Sequence, residues 1–226
     1  MICPMYQKAE RSAGLVHQLG FISGLYYKCR QEGLIPVIPN LILSGGHNNG
    51  QEKLLIDYIN LPPEFVRSVP ADATEVTTYM WSGFPHIGKE IRTYFPFKEQ
   101  FKAVAKIIVD KMPRPICSVR VRRTDMILVR PESDLTVQDI NNVLSKYGYA
   151  SLYLMTDEKN PHFFDGIERK YQSFDFPELA EIKDNYALFA IECCIRDLCD
   201  IRIGMFTTHD DTEYFHGQLC DIFGVH

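Results

Sequence analysis

The sequence predicts an α/β protein of two small lobes, the second of which is a parallel sheet with helices on both faces. Three observations favour this class. Short apolar runs alternate with amphipathic helical segments through the second half of the chain, as in βαβ units. The 226 residues, 46% of them apolar and 23% charged, can bury a core without disulfide or metal staples. A segment punctuated by Pro and Gly gives way to this regular alternation near residues 94–100, so we predict lobes over 1–99 and 100–226.

The first lobe is expected to contain two helices and two β-prone segments. Apolar side chains recur at helical spacing in the two helical segments, and Gly33 follows the first of them as a stop. Pro36 and Pro39 interrupt the first β-prone run. The predicted elements, in chain order, are a helix over 14–32, a β-prone run over 35–43, a helix over 51–59 and a strand over 75–81.

The second lobe shows a more regular alternation of helices and strands. Pro113 and Pro115 precede its first strand, and Asp184 is placed to cap a long helix near the end. Because strands that alternate with helices form βαβ units, we expect a parallel sheet covered on both faces. The predicted helices are 97–112, 136–146, 161–171, 184–198 and 212–223, and the predicted strands are 116–121, 150–155 and 200–206.

Charge and hydropathy argue against several classes of protein. The formal net charge is −5, whereas non-specific binding to polyphosphate needs a basic face, so we expect no nucleic-acid partner. No run of about 18 uncharged apolar residues occurs, so we expect no membrane span. Residues 1–11 lack the apolar core of a signal peptide. We therefore expect a soluble, cytoplasmic protein.

The seven cysteines form no Cys-x-x-Cys pair, and no histidine follows at zinc-finger spacing. Several of them lie in apolar segments, among them Cys117, Cys193 and Cys194. A thiol in such a segment behaves as a small hydrophobic side chain. We expect reduced cysteines in the core, which fits a reducing compartment.

Polar side chains follow three predicted strands of the second lobe, at the edge where parallel sheets bind ligands. Arg122 and Arg123 come at the end of the first strand, and two planar, permanently charged guanidinium groups suit a diphosphate. Asp125 can hold one of these arginines in place. A solvated cluster of salt bridges is the alternative interpretation of the same spacing.

The two other strand ends carry similar groups. Thr156, Asp157 and Glu158 follow the second strand, and Thr207 and Thr208 follow the last one, next to a predicted helix start. Either segment alone is typical of ordinary capping. The three strand ends together favour one pocket for an anionic, nucleotide-linked ligand.

Four segments of the chain resemble the motifs of the fucosyltransferase superfamily, in the same order. Residues 120–125, Arg-Val-Arg-Arg-Thr-Asp, resemble the His-x-Arg-Arg-Thr-Asp segment of α1,6-fucosyltransferases, with Arg120 in place of the His. Residues 152–158 resemble the Tyr-x-Ala-Thr-Asp segment of those enzymes and of protein O-fucosyltransferases. Residues 190–208 resemble a third motif, in which an acidic helix residue precedes an apolar strand and a Ser-Ser end. Residues 14–19 are similar to the Gly-x-Gly-x-Gln loop that opens the family's first helix.

The resemblance implies a GT-B-like glycosyltransferase with two small Rossmann-like lobes. The N-terminal lobe, 1–99, would serve the acceptor, and the C-terminal lobe, 100–226, would bind the nucleotide sugar. The implied reaction is an inverting, metal-independent transfer of fucose from GDP-fucose to a glycan or protein hydroxyl. GDP-fucose is then the donor substrate, a carbohydrate or glycoprotein is the acceptor, and no cofactor is implied.

The resemblance also assigns roles to single residues. Arg122 would hold the β-phosphate and the leaving group, with Arg123 and Asp125 shaping that site. The remaining residues implied to bind the donor are Asp157, Glu192 on the guanine or ribose side, Thr207 and Thr208 at the diphosphate, and His17 and Gln18 in the first lobe.

The implied reaction needs a base to take the proton of the acceptor hydroxyl. Glu132 is the leading candidate, because it follows the arginine pair in the loop before a predicted helix. Asp134 and Asp157 are the other candidates. The chain contains no Asp-x-Asp triplet of the kind that holds a metal–diphosphate complex, so we expect no metal ligands.

Two other functions fit the same residues. A non-catalytic nucleotide- or sugar-binding module of the same fold would keep the arginine site without turnover. A transferase for a different nucleotide sugar would differ in its base and sugar pockets. Turnover separates the first alternative from an enzyme, and competition among GDP, UDP and ADP tests the second.

The Gly-rich segment 45–50 is a further motif. It lacks the Lys-Ser/Thr pair of a phosphate-binding P-loop. We therefore interpret it as a flexible turn.

Overall fold

A computed structural model of the protein describes residues 2–4, 14–38, 41–68, 71, 91–129 and 134–205. The chain divides into two compact units. The first unit contains Met1–Glu99 and also Lys183–Ala190, and the second contains Gln100–Ile182 and Ile191–His226. The assignment of one lobe to the acceptor and one to the donor stays a prediction. Within the described ranges, no helix combines the length and the apolar character that crossing a membrane requires.

In its described residues, the first unit contains short strands and one long helix. Its elements are β1 (Ile2–Pro4), α1 (Leu15–Glu32), β2 (Ile35–Val37), β3 (Ile42–Leu43), β4 (Lys53–Leu54) and α2 (Ile91–Tyr94). β1 pairs with β2 in parallel, and β3 pairs with β4 in antiparallel orientation. Two short 3-10 helices, Gly45–His47 and Leu55–Asp57, follow β3 and β4.

Helix α1 confirms the prediction made for residues 14–32. Its apolar positions Leu19, Ile22 and Leu25 are buried, as the helical spacing of the sequence requires. The helix ends at Gly33, which has a φ of 66°. Glycine adopts this left-handed conformation without the steric penalty that a Cβ brings, so Gly33 ends the helix for the predicted reason.

The helix predicted over 51–59 is wrong. These residues form β4 and the 3-10 helix Leu55–Asp57 instead. The Leu55 amide donates to the Leu41 carbonyl at 2.8 Å, so a partner distant in sequence takes a hydrogen bond that a helix would make locally. The apolar spacing misled because Leu55 and Ile59 are buried in the observed conformation as well.

The Gly-rich segment 45–50 is a tightly hydrogen-bonded loop rather than the flexible turn of our interpretation. The amides of Asn48 and Gly50 both donate to the Gly45 carbonyl, at 2.9 and 2.8 Å. A Cβ on Gly45 would lie 2.7 Å from the Gly50 carbonyl oxygen, so glycine is required there. Asn49 and Gly50 adopt left-handed φ values of 53° and 82°. The shape of the loop therefore depends on its glycines and asparagines.

The second unit is built on a four-stranded parallel sheet with flanking helices, as predicted. Its elements are α3 (Glu99–Asp110), β5 (Ile116–Val121), α4 (Thr124–Val129), α5 (Val137–Leu144), β6 (Ser151–Thr156), β7 (Lys170–Tyr171), α6 (Pro177–Ala180), α7 (Asn185–Leu198) and β8 (Ile201–Met205). The strand order is β7–β6–β5–β8, and each neighbouring pair is parallel. The start of α3 and the first turns of α7 group with the first unit.

The two faces of this sheet carry different side chains, because successive residues of a strand point to opposite sides. On one face, Val119 and Val121 pack in an apolar core with residues of α5. On the other face, Arg196 of α7 is fully buried. Its Nη1 donates to the carbonyl and hydroxyl of Ser118, at 3.3 and 3.2 Å, and to the Ile203 carbonyl at 3.0 Å.

The helix predicted over 161–171 is also wrong. The chain makes a series of turns there and ends in β7. The Leu152 amide of β6 donates to the Arg169 carbonyl at 2.9 Å, so this segment completes the edge of the sheet. A Cβ on Gly166 would lie 3.0 Å from Val137 Cγ1, which shows how closely the turns pack. The strand predicted over 75–81 and the helix predicted over 212–223 lie outside the described residues.

Asp184 caps α7, as predicted. Its Oδ1 accepts hydrogen bonds from the amides of Tyr186 and Ala187, at 3.0 and 3.2 Å. Its Oδ2 accepts from the Tyr58 hydroxyl at 2.6 Å. The Tyr186 hydroxyl in turn donates to the Ser44 carbonyl at 2.7 Å. These contacts explain why residues 183–190 belong to the first unit.

Five cysteines, Cys29, Cys117, Cys193, Cys194 and Cys199, are buried free thiols. This confirms the prediction of reduced core cysteines for these five. Burial raises the pKa of Cys117 to about 12 and that of Cys199 to about 11. Both thiols are therefore neutral at physiological pH, and they behave as small apolar side chains.

Candidate functional site

The carboxyl ends of β5 and β6 lie side by side, since Val121 pairs in register with Thr156. The polar residues that follow the two strands therefore meet. They are Arg122, Arg123, Thr124, Asp157 and Glu158.

Asp157 holds the turn that follows β5. Its Oδ1 accepts from the Arg123 amide at 2.7 Å and from the Thr124 amide at 3.5 Å. Its Oδ2 accepts from the Thr124 hydroxyl at 2.6 Å. The Arg122 Nε lies 3.8 Å from the same oxygen, which is an ion-pair distance longer than a hydrogen bond. Asp157, which the resemblance implies to bind the donor, thus has structural partners in this arrangement.

Arg123 is enclosed by protein groups and is only 9% exposed. Its Nε donates to Glu158 Oε2 at 2.8 Å, its Nη2 lies 2.7 Å from Asp134 Oδ1, and its Nη1 donates to the Leu135 carbonyl. The guanidinium carbon lies 3.9 Å from the centre of the Phe163 ring. All three nitrogens of the guanidinium have protein partners, so Arg123 fixes the local structure.

Glu158 is itself fixed on both sides. Its Oε1 accepts from the Asn160 amide at 2.9 Å, and its own amide donates to the Thr156 hydroxyl at 3.0 Å. The hydrogen bond from Asn160, together with the Arg123 guanidinium, holds the pKa of Glu158 below its usual value. Glu158 is therefore an ionised, immobilised partner for Arg123 at neutral pH.

Among the described side chains of this region, carboxylates outnumber guanidinium groups. Asp134, Asp157 and Glu158 pair with the two arginines. The Arg122–Asp157 pair is the longest of the three ion pairs, at 3.8 Å against 2.7 and 2.8 Å. Arg122 also has the more exposed side chain, 25% against 11% for Arg123, so its guanidinium is the more accessible of the two. No set of three or more His, Cys, Asp or Glu side chains suited to a metal ion occurs among the residues that the structure describes.

A second polar group lies on the face of the sheet that α7 covers. The Tyr153 hydroxyl of β6 donates to Glu192 Oε1 at 3.4 Å. Burial raises the pKa of Glu192 to about 7, against the opposing effect of the Arg120 guanidinium and this hydroxyl. Glu192 therefore changes its charge near neutral pH, unlike an exposed glutamate.

Five of the other predicted site residues cannot be described at the level of their side chains. Glu132, Thr207 and Thr208 lie outside the described residues. His17 lies in α1 and Asp125 in α4, but the description of both stops at the backbone. Their predicted roles stay predictions.

Gln18 is the predicted site residue that the structure places in the first unit in full. It is 1% exposed, and its Nε2 donates to the Ile42 carbonyl at 3.2 Å. Its Oε1 is buried and accepts no hydrogen bond from the described part of the chain. In this arrangement Gln18 fastens β3 to α1.

The sequence does not predict which groups surround Arg123. It indicates Asp134 only as a candidate base and Glu158 only as part of a strand end. The signal in the sequence is a carboxylate beside a predicted element: Glu158 follows the strand over 150–155, and Asp134 precedes the helix over 136–146. Phe163 gave no such signal, because we assigned it to a helix that does not form.

Comparison with solved structures identifies the fold. The chain is similar to a crystal structure of the NodZ α-1,6-fucosyltransferase soaked with GDP-fucose, with a TM-score of 0.58, 10% identity, and coverage of 89% of this chain and 87% of that chain. It is also similar to a crystal structure of POFUT1 in complex with GDP, with a TM-score of 0.58, 12% identity, and coverage of 99% and 95%. The chain therefore shares the fold of fucosyltransferases. The sequence matches no protein-family model and no curated protein.

Proposed function

We propose that this chain is a glycosyltransferase that transfers fucose from GDP-fucose to a hydroxyl of a glycan or protein. One observation carries the proposal: Arg122 follows a central strand at the carboxyl edge of a parallel sheet, in a fold shared with two fucosyltransferase structures. One of those structures was soaked with GDP-fucose, and the other contains GDP. Parallel sheets bind ligands at this edge, so the same class of donor suits this chain.

In the proposed reaction, Arg122 stabilises the leaving group. The bond between the fucose anomeric carbon and the β-phosphate oxygen breaks, and GDP keeps the electron pair. The acceptor oxygen bonds to the same carbon from the opposite face, which inverts its configuration. Negative charge grows on the β-phosphate, so a guanidinium beside it stabilises the transition state more than the ground state. Because this charge can take the place of a metal ion, metal independence is part of the proposal.

The acceptor hydroxyl gives its proton to a base, and Glu132 is the proposed one. The other candidates, Asp134 and Asp157, pair with Arg123 or accept hydrogen bonds from the turn after β5. A carboxylate that already accepts such hydrogen bonds is a weaker base for a bound hydroxyl. Glu132 therefore stays first among the three.

The remaining donor contacts follow from the resemblance. Glu192, a partly buried carboxylate on α7, would accept hydrogen bonds from the guanine or ribose. Thr207 and Thr208 would bind the diphosphate, and Asp125 would help Arg123 to shape the phosphate site. His17 and Gln18 would contribute from the first unit, Gln18 by holding β3 against α1.

A non-catalytic binding module is the second candidate function. The observation that favours it is the charge around Arg122 and Arg123, where three carboxylates pair with the two guanidinium groups among the described side chains. Because the carboxylates offset the positive charge of the arginines, such a site can hold a neutral sugar or a singly charged ligand and need not release GDP by a reaction. A transferase for a different nucleotide sugar would share the Arg122 site and differ in the contacts of Glu192.

Calorimetric titration of GDP, with and without magnesium, tests the proposal. We expect the wild type to bind GDP equally in both conditions and Arg122→Ala to lose on the order of 10-fold to 10²-fold in affinity, since a hydrogen bond to a charged group contributes about 1.5–3 kcal/mol. Arg202→Ala is the matched control, because it removes an exposed arginine from β8 of the same sheet. UDP and ADP are titrated alongside to test the nucleotide preference.

Turnover then separates the two candidate functions. With GDP-fucose and a set of glycan and peptide acceptors, an enzyme releases GDP only when an acceptor is present, whereas a binding module releases none. Absence of GDP binding by the folded wild type would rule out the fucosyl mechanism.

A further inference from the structure

We propose that Glu158 is a positioning residue of the donor site, which acts through Arg123 to fix the direction of Arg122. This inference rests on the proposed function, since Arg122 needs a donor to engage. It adds a residue to which the resemblance gives no role in the reaction.

Two consecutive residues after β6 hold Arg123 at both of its ends. Asp157 accepts from its backbone amide at 2.7 Å, and Glu158 accepts from its side-chain Nε at 2.8 Å. The backbone and the guanidinium of Arg123 are thus tied to the same neighbouring strand end. A change in the Arg123 side chain is therefore transmitted to the turn.

The Arg123 guanidinium is held by contacts on several sides. Glu158 has both carboxylate oxygens engaged, one with Arg123 and the other with the Asn160 amide. The Phe163 ring covers one face of the guanidinium at 3.9 Å, and the Asp134 carboxylate lies 2.7 Å from Nη2. Within this enclosure Arg123 has one well-defined position.

This position matters for Arg122 because the two arginines share a peptide bond. The peptide group is planar, so the hydrogen bond from the Arg123 amide to Asp157 also fixes the plane of the Arg122 carbonyl. That plane sets the backbone angle from which the Arg122 side chain extends. Loss of the Glu158 contact would remove one of the contacts that hold the Arg123 side chain and would give this plane more freedom to rotate.

A double-mutant cycle tests the inference. Glu158→Gln keeps the shape of the side chain and removes its charge, and Glu168→Gln makes the same change at an exposed site in the turns before β7. We expect Glu158→Gln to weaken GDP binding on the order of tenfold, because small displacements of a binding group have effects of at least this size. Glu168→Gln should leave the affinity unchanged.

The second arm of the cycle uses Arg122→Lys, whose flexible ammonium group depends less on the direction of the turn. In that background Glu158→Gln should weaken GDP binding by no more than about twofold if Glu158 acts through Arg122. An equal loss in both backgrounds would show a merely structural role and overturn the inference. An unchanged affinity in the wild-type background would overturn it as well.

Amide hydrogen exchange without ligand gives an independent readout. Glu158→Gln should speed the exchange of the Arg123 and Thr124 amides, which both donate to Asp157, and Glu168→Gln should not. If the wild type binds no GDP, the proposed function fails, and this exchange alone decides whether Glu158 holds the turn. Should Glu158→Gln unfold, Phe163→Leu takes its place in the cycle, since it removes the ring that covers Arg123 and keeps an apolar side chain beside Phe164.

Discussion

Two adjacent residues of the same type have different environments in this protein. Arg123 is almost completely buried, and its three guanidinium nitrogens have protein partners. Arg122 keeps a quarter of its side chain exposed, and its ion pair with Asp157 is long. The spacing of the sequence gives both arginines equal weight, because it does not show which carboxylates will lie beside each one. The division of roles between them is a consequence of tertiary packing.

Glu192 should make the stability of the protein depend on pH in an unusual direction. Burial raises its pKa from an ordinary value of 4.5 to about 7 in the folded protein. A carboxyl group with a raised pKa favours the folded state while protonated, so this contribution is complete below pH 4.5 and is lost as the pH rises through 7. Above pH 7 the ionised group should cost up to about 3 kcal/mol.

We therefore expect Glu192→Gln to raise the free energy of unfolding at pH 8 and to lose this advantage at pH 5. Urea denaturation between pH 5 and 8.5 measures the difference. Glu168→Gln, at an exposed position, serves as the control and should follow the wild type at every pH. A difference between Glu192→Gln and the wild type that stays constant with pH would contradict the assignment.

At the scale of elements, local patterns predicted some structures and failed for others. The strand over 116–121 and the helix ended by Gly33 form where expected, because an apolar run that follows two prolines and a left-handed glycine are local features. The helices over 51–59 and 161–171 do not form. Each segment makes a backbone hydrogen bond with a partner distant in sequence: the Leu55 amide donates to Leu41, and the Arg169 carbonyl accepts from Leu152. Apolar spacing alone does not reveal such partners.

The start of α7 should depend strongly on its cap. Asp184→Ala removes the acceptor for the amides of Tyr186 and Ala187 and for the Tyr58 hydroxyl. The loss of the cap and of the hydrogen bond from the buried Tyr58 hydroxyl to the carboxylate should together lower the free energy of unfolding by about 2–4 kcal/mol. Chemical denaturation measures this change. Asp110→Ala, which removes an exposed ion pair with Lys106, should cost less than about 0.5 kcal/mol. Equal effects of the two substitutions would contradict the role of the cap.

At the scale of the whole molecule, the order of the motifs predicted a fold that the comparisons support at only 10–12% identity. A parallel sheet requires apolar strands and amphipathic helices in alternation, and these patterns persist when few individual residues do. The position of the candidate site was also predictable from the sequence, but the surroundings of its residues were not. The edge of the sheet was predictable, because polar residues follow each strand. The enclosure of Arg123 was not, because Asp134 and Phe163 come from segments whose neighbours no local pattern specifies.

The two halves of the chain differ in whether each contains a complete unit. The second unit is contained entirely in residues 100–226, whereas the first also needs Lys183–Ala190. Fragment 1–99 would lack the Asp184 carboxylate that accepts from the Tyr58 hydroxyl and the Tyr186 hydroxyl that donates to the Ser44 carbonyl. Each hydrogen bond lost from a buried group costs about 0.5–1.5 kcal/mol, which matters in a small unit of low stability.

We therefore expect fragment 100–226 to unfold cooperatively on heating and fragment 1–99 to show no cooperative transition, when both are followed by near-UV circular dichroism. The control joins residues 183–190 to the end of fragment 1–99 through a flexible Gly-Ser linker, which restores the missing hydrogen bonds. This joined fragment should recover a cooperative transition. A cooperative transition in fragment 1–99 alone would show that its strands and α1 form a core without residues 183–190. The hydrogen bonds to Asp184 and Tyr186 would then be a consequence of the fold of the first unit and not a condition for it.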